Sequence, residues 1–194
     1  ELNRAINNVS HSIPTRTPSP ILEGILIETK GDRMYLTATD TNMTIESNIS
    51  VDSEGDVSFV IEEKNFANIV NKLPEEEVLM DFNHEKNQIK INSGKSSSTF
   101  NCFSADEFPR FNIGEGQKII LSKKDIKNLI RKTSFSASAD ELNGVLTGIL
   151  IELGEGNLRM VAVDTFRMAI YNAKVDTDEK LSIVVPAKLL GEVS

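Results

Sequence analysis

Shifting the chain against itself by 124 residues, with no gap, lays Leu2–Val70 over Ile126–Ser194, and this internal repeat constrains the fold more than any other feature. Ile21-Leu22-Glu23-Gly24-Ile25-Leu26-Ile27-Glu28 falls on Val145-Leu146-Thr147-Gly148-Ile149-Leu150-Ile151-Glu152, and Ala38-Thr39-Asp40-Thr41 falls on Ala162-Val163-Asp164-Thr165. Further along, Val51-Asp52 meets Val175-Asp176, and Ser58, Val60 and Lys64 meet Ser182, Val184 and Lys188. About eighteen of some seventy positions are identical in one unbroken register, so chance is a poor explanation. The chain therefore holds one full copy of a unit and the first part of a second.

The order of elements repeats with the residues. Leu2, Ala5, Ile6 and Val9 recur at helical spacing, as do Ile126, Leu129, Ile130 and Thr133, which predicts a short amphipathic helix opening each unit. Gly24–Glu28 and Met34–Ala38 are predicted as a hairpin, and so are Gly148–Glu152 and Leu158–Ala162 around the turn Gly154-Glu155-Gly156-Asn157. Strands Thr44–Val51 and Val57–Ile61 then lead to a helix whose face is Phe66, Ile69, Val70 and Leu73, stopped by Pro74. Val78–Phe82, Gln88–Ile91 and Ser97–Phe103 complete the first unit, the last of these expected at an open sheet edge, and Ser104–Gly116 reads as a connector. The fold class is α+β, with two helices per unit against antiparallel sheet.

The chemistry classes narrow next. With 39% hydrophobic and 26% charged residues among 194, the chain is too apolar to be disordered, and no apolar run approaches the length of a membrane span. Residues 1–10 have neither the basic nor the apolar region of a signal peptide, and Cys102 has no partner cysteine, so a cytoplasmic setting is expected. The N-x-S/T triplets at Asn8, Asn42 and Asn48 are read as chance, and His11 and His84 stand too far apart in sequence to suggest a metal site. No cofactor is expected. Gly94-Lys95-Ser96 lacks the earlier glycine and the following helix of a phosphate-binding loop, and Gly154-Glu155-Gly156 leads into a strand as a hairpin turn does. Asp40 and Asp164 occupy matching places in two copies, so they cannot flank one reacting bond, and an Asp at a turn usually bonds its own backbone. No nucleophile–base arrangement can be assembled, and no enzyme is expected.

A net charge of −8 argues against a protein that coats nucleic acid non-specifically, yet residues 118–132 carry six basic residues against Asp125 alone. In the helix predicted at Ser122–Lys132, Ser122 is the N-cap, and Lys123, Lys127 and Arg131 stand four residues apart on one face with Lys132 beside them. The first copy has Asn3 and Asn7 where Lys127 and Arg131 stand, with Arg4 nearby. A polar, non-acidic face in both copies suits a surface near phosphate, although a merely solvated face has the same pattern.

Several segments in this order carry a family resemblance: Arg16-Thr-Pro-Ser-Pro20-Ile-Leu, Ala38-Thr-Asp40, Ser93-Gly94-Lys95, Ala105-Asp-Glu-Phe108-Pro109, Val145-Leu-Thr-Gly148-Ile-Leu, and Val163-Asp164-Thr165-Phe166-Arg167-Met168-Ala169. Over nearly its whole length the chain resembles the bacterial DNA sliding clamp, the beta subunit of the replicative DNA polymerase III. The resemblance implies three similar domains per subunit and a head-to-tail homodimer when full length, with helices lining a central hole and antiparallel sheets outside. Residues 1–116 would be domain one without its first strand, residues 117–194 domain two truncated at its C-terminus, and the third domain would be absent from this chain. It implies a non-catalytic processivity factor whose partners are double-stranded DNA, the replicative polymerase, the clamp loader and other proteins that bind through short hydrophobic motifs. A ring holds DNA by topology, which reconciles an acidic protein with a mildly basic lining. By the same resemblance Arg16 faces DNA from a loop and Lys123, Lys127 and Arg131 line the pore. Val163, Thr165, Phe166, Arg167 and Met168 would form half of a partner-peptide cleft. Asn143-Gly144 stand where the family often has an arginine, a departure from its pattern. The competing reading is a duplicated α+β interaction scaffold that does not bind DNA.

Overall fold

The computed structural model describes residues 1–74, 77–111, 116 and 118–194, and divides into two compact units, Glu1–Asn112 and Ile113–Ser194. Part of the expected connector Ser104–Gly116, residues 112–115, and position 117 beside the expected domain boundary lie outside the described residues.

The first unit opens with helix α1 (Leu2–Ser10), in which Ala5, Ile6 and Val9 are buried as their spacing predicts. Strands β1 (Gly24–Lys30), β2 (Arg33–Thr39), β3 (Thr44–Ser50) and β4 (Ser58–Glu62) follow, then helix α2 (Glu63–Val70). Strands β5 (Leu79–Asn83), β6 (Gln88–Ser93) and β7 (Ser96–Ser104) complete a seven-stranded sheet in the order β3-β2-β1-β4-β7-β6-β5. Every pairing is antiparallel. Alternation in β1 and β4 sends Ile25, Ile27, Phe59 and Ile61 into one core with Ile6, Val9 and Phe66 from the helices. Leu26 and Val60 point to the opposite face, where Ala105 and Phe108 of the turn after β7 cover them.

One strand is placed differently from its expectation. Ser97–Phe103 lies inside the sheet, where β7 pairs with β6 from Gln88↔Asn101 to Ser93↔Ser96 and with β4 from Phe59↔Ser104 to Ile61↔Cys102. The edges are β3 and β5. Alternation within a strand says which side chains face the core and nothing about which strands flank it, and the second copy stops short of an equivalent.

The second unit repeats the pattern with helix α3 (Lys123–Arg131), strands β8 (Gly148–Gly154), β9 (Asn157–Val163), β10 (Met168–Lys174) and β11 (Leu181–Pro186), and helix α4 (Ala187–Val193). Its four-stranded sheet runs β10-β9-β8-β11, matching β3-β2-β1-β4 of the first. Leu129, Ile130, Ile149, Met160 and Leu190 are buried between its helices and sheet.

The repeated glycines stand at equivalent close approaches in the two copies. A Cβ on Gly24 would lie 2.4 Å from Val60 Cγ1 and 3.2 Å from the Ile61 carbonyl oxygen; one on Gly148 would lie 2.4 Å from Val184 Cγ1 and 3.2 Å from the Val185 carbonyl oxygen. The two sites differ in how far the valine can yield. Val60 is fully buried and stiff at χ1, whereas Val184 is 45% exposed. Gly24→Ala is therefore expected to lower stability by roughly 1–3 kcal/mol through overpacking, and Gly148→Ala by less. Denaturant unfolding will check the order, and Val60→Ala should recover part of the Gly24→Ala loss.

Candidate nucleic-acid and peptide interfaces

Helix α3 starts where its cap dictates: Ser122 Oγ accepts from the Asp125 backbone N–H at 3.1 Å and donates to the Asp125 carboxylate at 2.6 Å. Burial of Ile130 against the unit's core turns the charged face outward, and a groove between α3 and α4 is lined by Lys124, Lys127, Asn128, Arg131 and Gly191. Lys127 and Arg131 are therefore brought together as expected, but Lys124 lines the groove and Lys123 does not. Positions 124, 127 and 131 follow the three-then-four spacing of one helical stripe as well as 123, 127 and 131 do; only the position of α4 selects between them. Lys132 points elsewhere, its Nζ lying 4.6 Å from the centre of the Tyr171 ring.

The first unit has a groove at a different place, between α1 and β3, that includes Arg4, Asn8, Arg33 and Asn48 along with Glu1. Arg33 donates to Asn48 Oδ1 across the β2–β3 pair. It lies outside the helix, so the helical pattern of cations gave no sign of it. Arg16 is exposed on the loop after α1, in a stretch where Thr17 Oγ1 accepts from the Ser19 backbone N–H at 3.1 Å.

The turn after β9 is built by Asp164. Its Oδ1 accepts from the backbone N–H groups of Phe166 and Arg167, both at 2.9 Å, and its Oδ2 accepts from Arg167 Nε at 2.9 Å. Asp40 makes the same turn in the first unit, with Oδ1 accepting from Asn42 at 3.0 Å and Met43 at 2.7 Å. Both aspartates thus serve their own backbone, as expected. The copies part at the next positions. Met43 is 4% exposed, whereas Arg167 in its place is exposed, Phe166 is 96% exposed and Met168 is 61% exposed. The Arg167 guanidinium carbon also lies 5.8 Å from the centre of the Phe135 ring, itself on the surface. Val163 is half-buried opposite Met168, and Thr165 is exposed at the turn. Val163 and Met168 are thus register partners and Arg167 reaches Phe135, whose aromatic side chain beside a polar helix end was its only sign in the sequence.

The Phe166 N–H holds the Asp164 carboxyl below its usual range, with the Arg167 N–H and guanidinium adding to it against a desolvation that acts the other way. Because the folded value is the lower one, the stabilising contribution is present above the ordinary carboxylate pKa and lost as pH falls through the lowered value. Carbon-detected NMR titration of Asp164 should show this, and Arg167→Ala should move the midpoint upward.

Among the described residues no group of three or more His, Cys, Asp or Glu could hold a metal ion, and no helix is long and apolar enough to cross a membrane.

Repeated α+β units with a cationic helix groove and an aromatic turn agree with the comparisons to known proteins. The family model for the DNA polymerase III beta subunit N-terminal domain matches residues 1–112, and that for its central domain matches residues 120–194. The chain belongs to the DNA polymerase III beta subunit family, and carries its N-terminal and central domain types in that order. The beta sliding clamp of Halalkalibacterium halodurans is 35% identical over 206 residues, which cover 97% of this chain and 53% of that protein. That of Bacillus subtilis is 34% identical over 205 residues, covering 100% of this chain and 54% of that protein. The crystal structure of the Bacillus subtilis DNA polymerase sliding clamp matches with a TM-score of 0.91 at 31% identity, covering 99% of this chain and 53% of that one. The beta subunit from the DNA polymerase of Streptococcus pyogenes matches with a TM-score of 0.90 at 28% identity and the same coverage. The chain thus spans about half the length of the curated relatives it matches.

Proposed function

We propose that this chain is part of a processivity factor, a non-catalytic protein that encircles double-stranded DNA and tethers the replicative polymerase to it. Family membership across both units supports the class, and the groove of Lys124, Lys127 and Arg131 in an otherwise acidic protein is the observation that carries the DNA reading. Such a groove attracts phosphate over a Debye length without the many close contacts that would stop sliding. In this reading Arg16, Lys123, Lys127 and Arg131 face DNA, with Lys124 and Arg33 added by their places in the grooves.

Residues 1–116 act as domain one and 117–194 as domain two, with a third domain supplied by the longer protein. A ring of two full-length subunits in the cytoplasm, opened by a clamp loader, completes the proposal. Val163, Thr165, Phe166, Arg167 and Met168 receive short hydrophobic motifs of the polymerase and other clients, since exposed aromatic and thioether side chains beside an arginine make an anchoring surface.

The test is topological. The full-length protein, loaded on nicked circular DNA, should be retained during gel filtration and lost when the same DNA is cut once. Equal retention on both forms would mean ordinary binding and would refute a ring.

A further inference from the structure

The loop of residues 138–147, which leads into β8, holds the only Asn-Gly pair in the sequence, Asn143-Gly144. That dipeptide has a reactivity of its own. The backbone nitrogen of the residue after an asparagine can attack the side-chain amide carbon, and a side chain on that residue obstructs the approach; glycine has none. Gly144 sits at φ 52°, in the left-handed region, a Cβ added to it would meet nothing within 4 Å, and both residues are exposed. The repeat supplies a control. In the 124-residue register Ser19-Pro20 occupy the places of Asn143-Gly144, and they have neither an amide to be attacked nor an N–H to attack it.

The amide to be attacked is held by Ser138. The Ser138 N–H closes the base of the loop by donating to the Leu146 carbonyl at 2.9 Å. Its hydroxyl oxygen accepts from Asn143 Nδ2 at 2.7 Å and from the Asp140 N–H at 3.2 Å, while the Asn143 N–H donates to the Asp140 carbonyl at 3.0 Å. Ser138 thus tethers the nitrogen that would leave as ammonia. Rotation of the Asn143 side chain, by which its amide carbon closes on the Gly144 nitrogen, works against that tether.

We propose that Asn143 is a site of spontaneous deamidation in the folded protein, metered by its hydrogen bond to Ser138. The Gly144 nitrogen gives its proton to solvent base and bonds to Asn143 Cγ; the bond from Cγ to Nδ2 breaks, and that nitrogen takes up a proton and leaves as ammonia. A five-membered succinimide remains. Water opens the ring at either carbonyl, giving aspartate or isoaspartate at position 143 with no oxidant or reductant involved. Both products add negative charge to a loop that already carries Asp140. They differ in what they do to its shape. Aspartate can accept from the Ser138 hydroxyl in place of the lost amide bond, whereas isoaspartate routes the main chain through an extra carbon ahead of Gly144, whose carbonyl accepts from Thr147 Oγ1 at 2.8 Å, and so disturbs the closure at Leu146. This inference stands whether or not the protein encircles DNA.

Ageing the folded full-length protein at mildly alkaline pH tests it, with peptide mapping by mass spectrometry under conditions that separate asparagine, aspartate and isoaspartate. Among the asparagines of residues 1–194, Asn143 should convert first, with isoaspartate among its products, and Asn143→Gln should abolish conversion there because the longer side chain would have to close a six-membered ring. A synthetic peptide of residues 138–147 gives the unrestrained rate, and the folded protein should convert several-fold more slowly than it does. Ser138→Ala should move the folded protein toward the peptide's rate, and Ser138→Thr, which keeps the hydroxyl, should restore the slower one. Asn143 left intact while the peptide converts overturns the proposal, as does earlier conversion of another asparagine in residues 1–194. An unchanged rate in Ser138→Ala overturns the metering by Ser138.

Discussion

Charge reversal of Lys124, Lys127 and Arg131 to Glu in the full-length protein is expected to cut retention on nicked circular DNA on the order of a hundredfold at low salt, because each lost cation removes a phosphate interaction and each new carboxylate adds a repulsion. The deficit should shrink as salt rises, since the Debye length falls to about 3 Å near 1 M. Stability should change little: the three side chains lie on the polar face of α3, and the buried contacts belong to Leu129 and Ile130. Lys123→Glu alone serves as the comparison. It lies outside the groove, so its effect should be clearly weaker than that of Lys124→Glu. Retention that is unchanged while unfolding shifts by several degrees would make the stripe structural and remove it from the DNA interface.

Arg167→Ala combined with Met168→Ala should weaken binding of a polymerase-derived hydrophobic peptide by the full-length protein on the order of a hundredfold, and should abolish stimulation of the polymerase while leaving DNA encirclement intact. Met168 is 61% exposed, so its truncation removes contact surface without opening a cavity in the core. Arg167 is anchored by the Asp164 carboxylate and stands over Phe135, which presents the guanidinium in a fixed attitude to a ligand. Phe166→Ala should weaken the peptide on its own, because the ring is almost wholly exposed and has nothing else to pack against within its turn. Fluorescence anisotropy measures both. Unimpaired peptide binding by the double mutant would take these residues out of the interface.

Much of this arrangement was legible because the chain states its own plan twice. Asp40 and Asp164 and the apolar faces of α1 and α3 depend on neighbours close in sequence, and each is read correctly from pattern. What resisted reading depends on distant partners. The place of β7 is decided by which strands it meets, the presence of Lys124 in the groove by where α4 lies, and the contact of Phe135 by an arginine in another element. Arg33 belongs to the same class, since only the seating of α1 beside β3 brings it into a groove with Arg4.

The junction of β4 with β7 has a dynamic consequence. Three register pairs join these strands, at Phe59, Val60 and Ile61, whereas β6 meets β7 through six, and Cys102 ties back further to Asn87 by a 2.8 Å backbone bond. The β5–β6–β7 meander is thus more firmly bound within itself than to the rest of its sheet, and can part from β4 as a cooperative piece at lower free energy than global unfolding. Deuterium uptake would then divide the first unit in two. The amides that join β1 to β2 and to β4 would exchange with the whole unit's stability, and those joining β4 to β7 would exchange sooner, each opening also freeing the Cys102 thiol from its shelter.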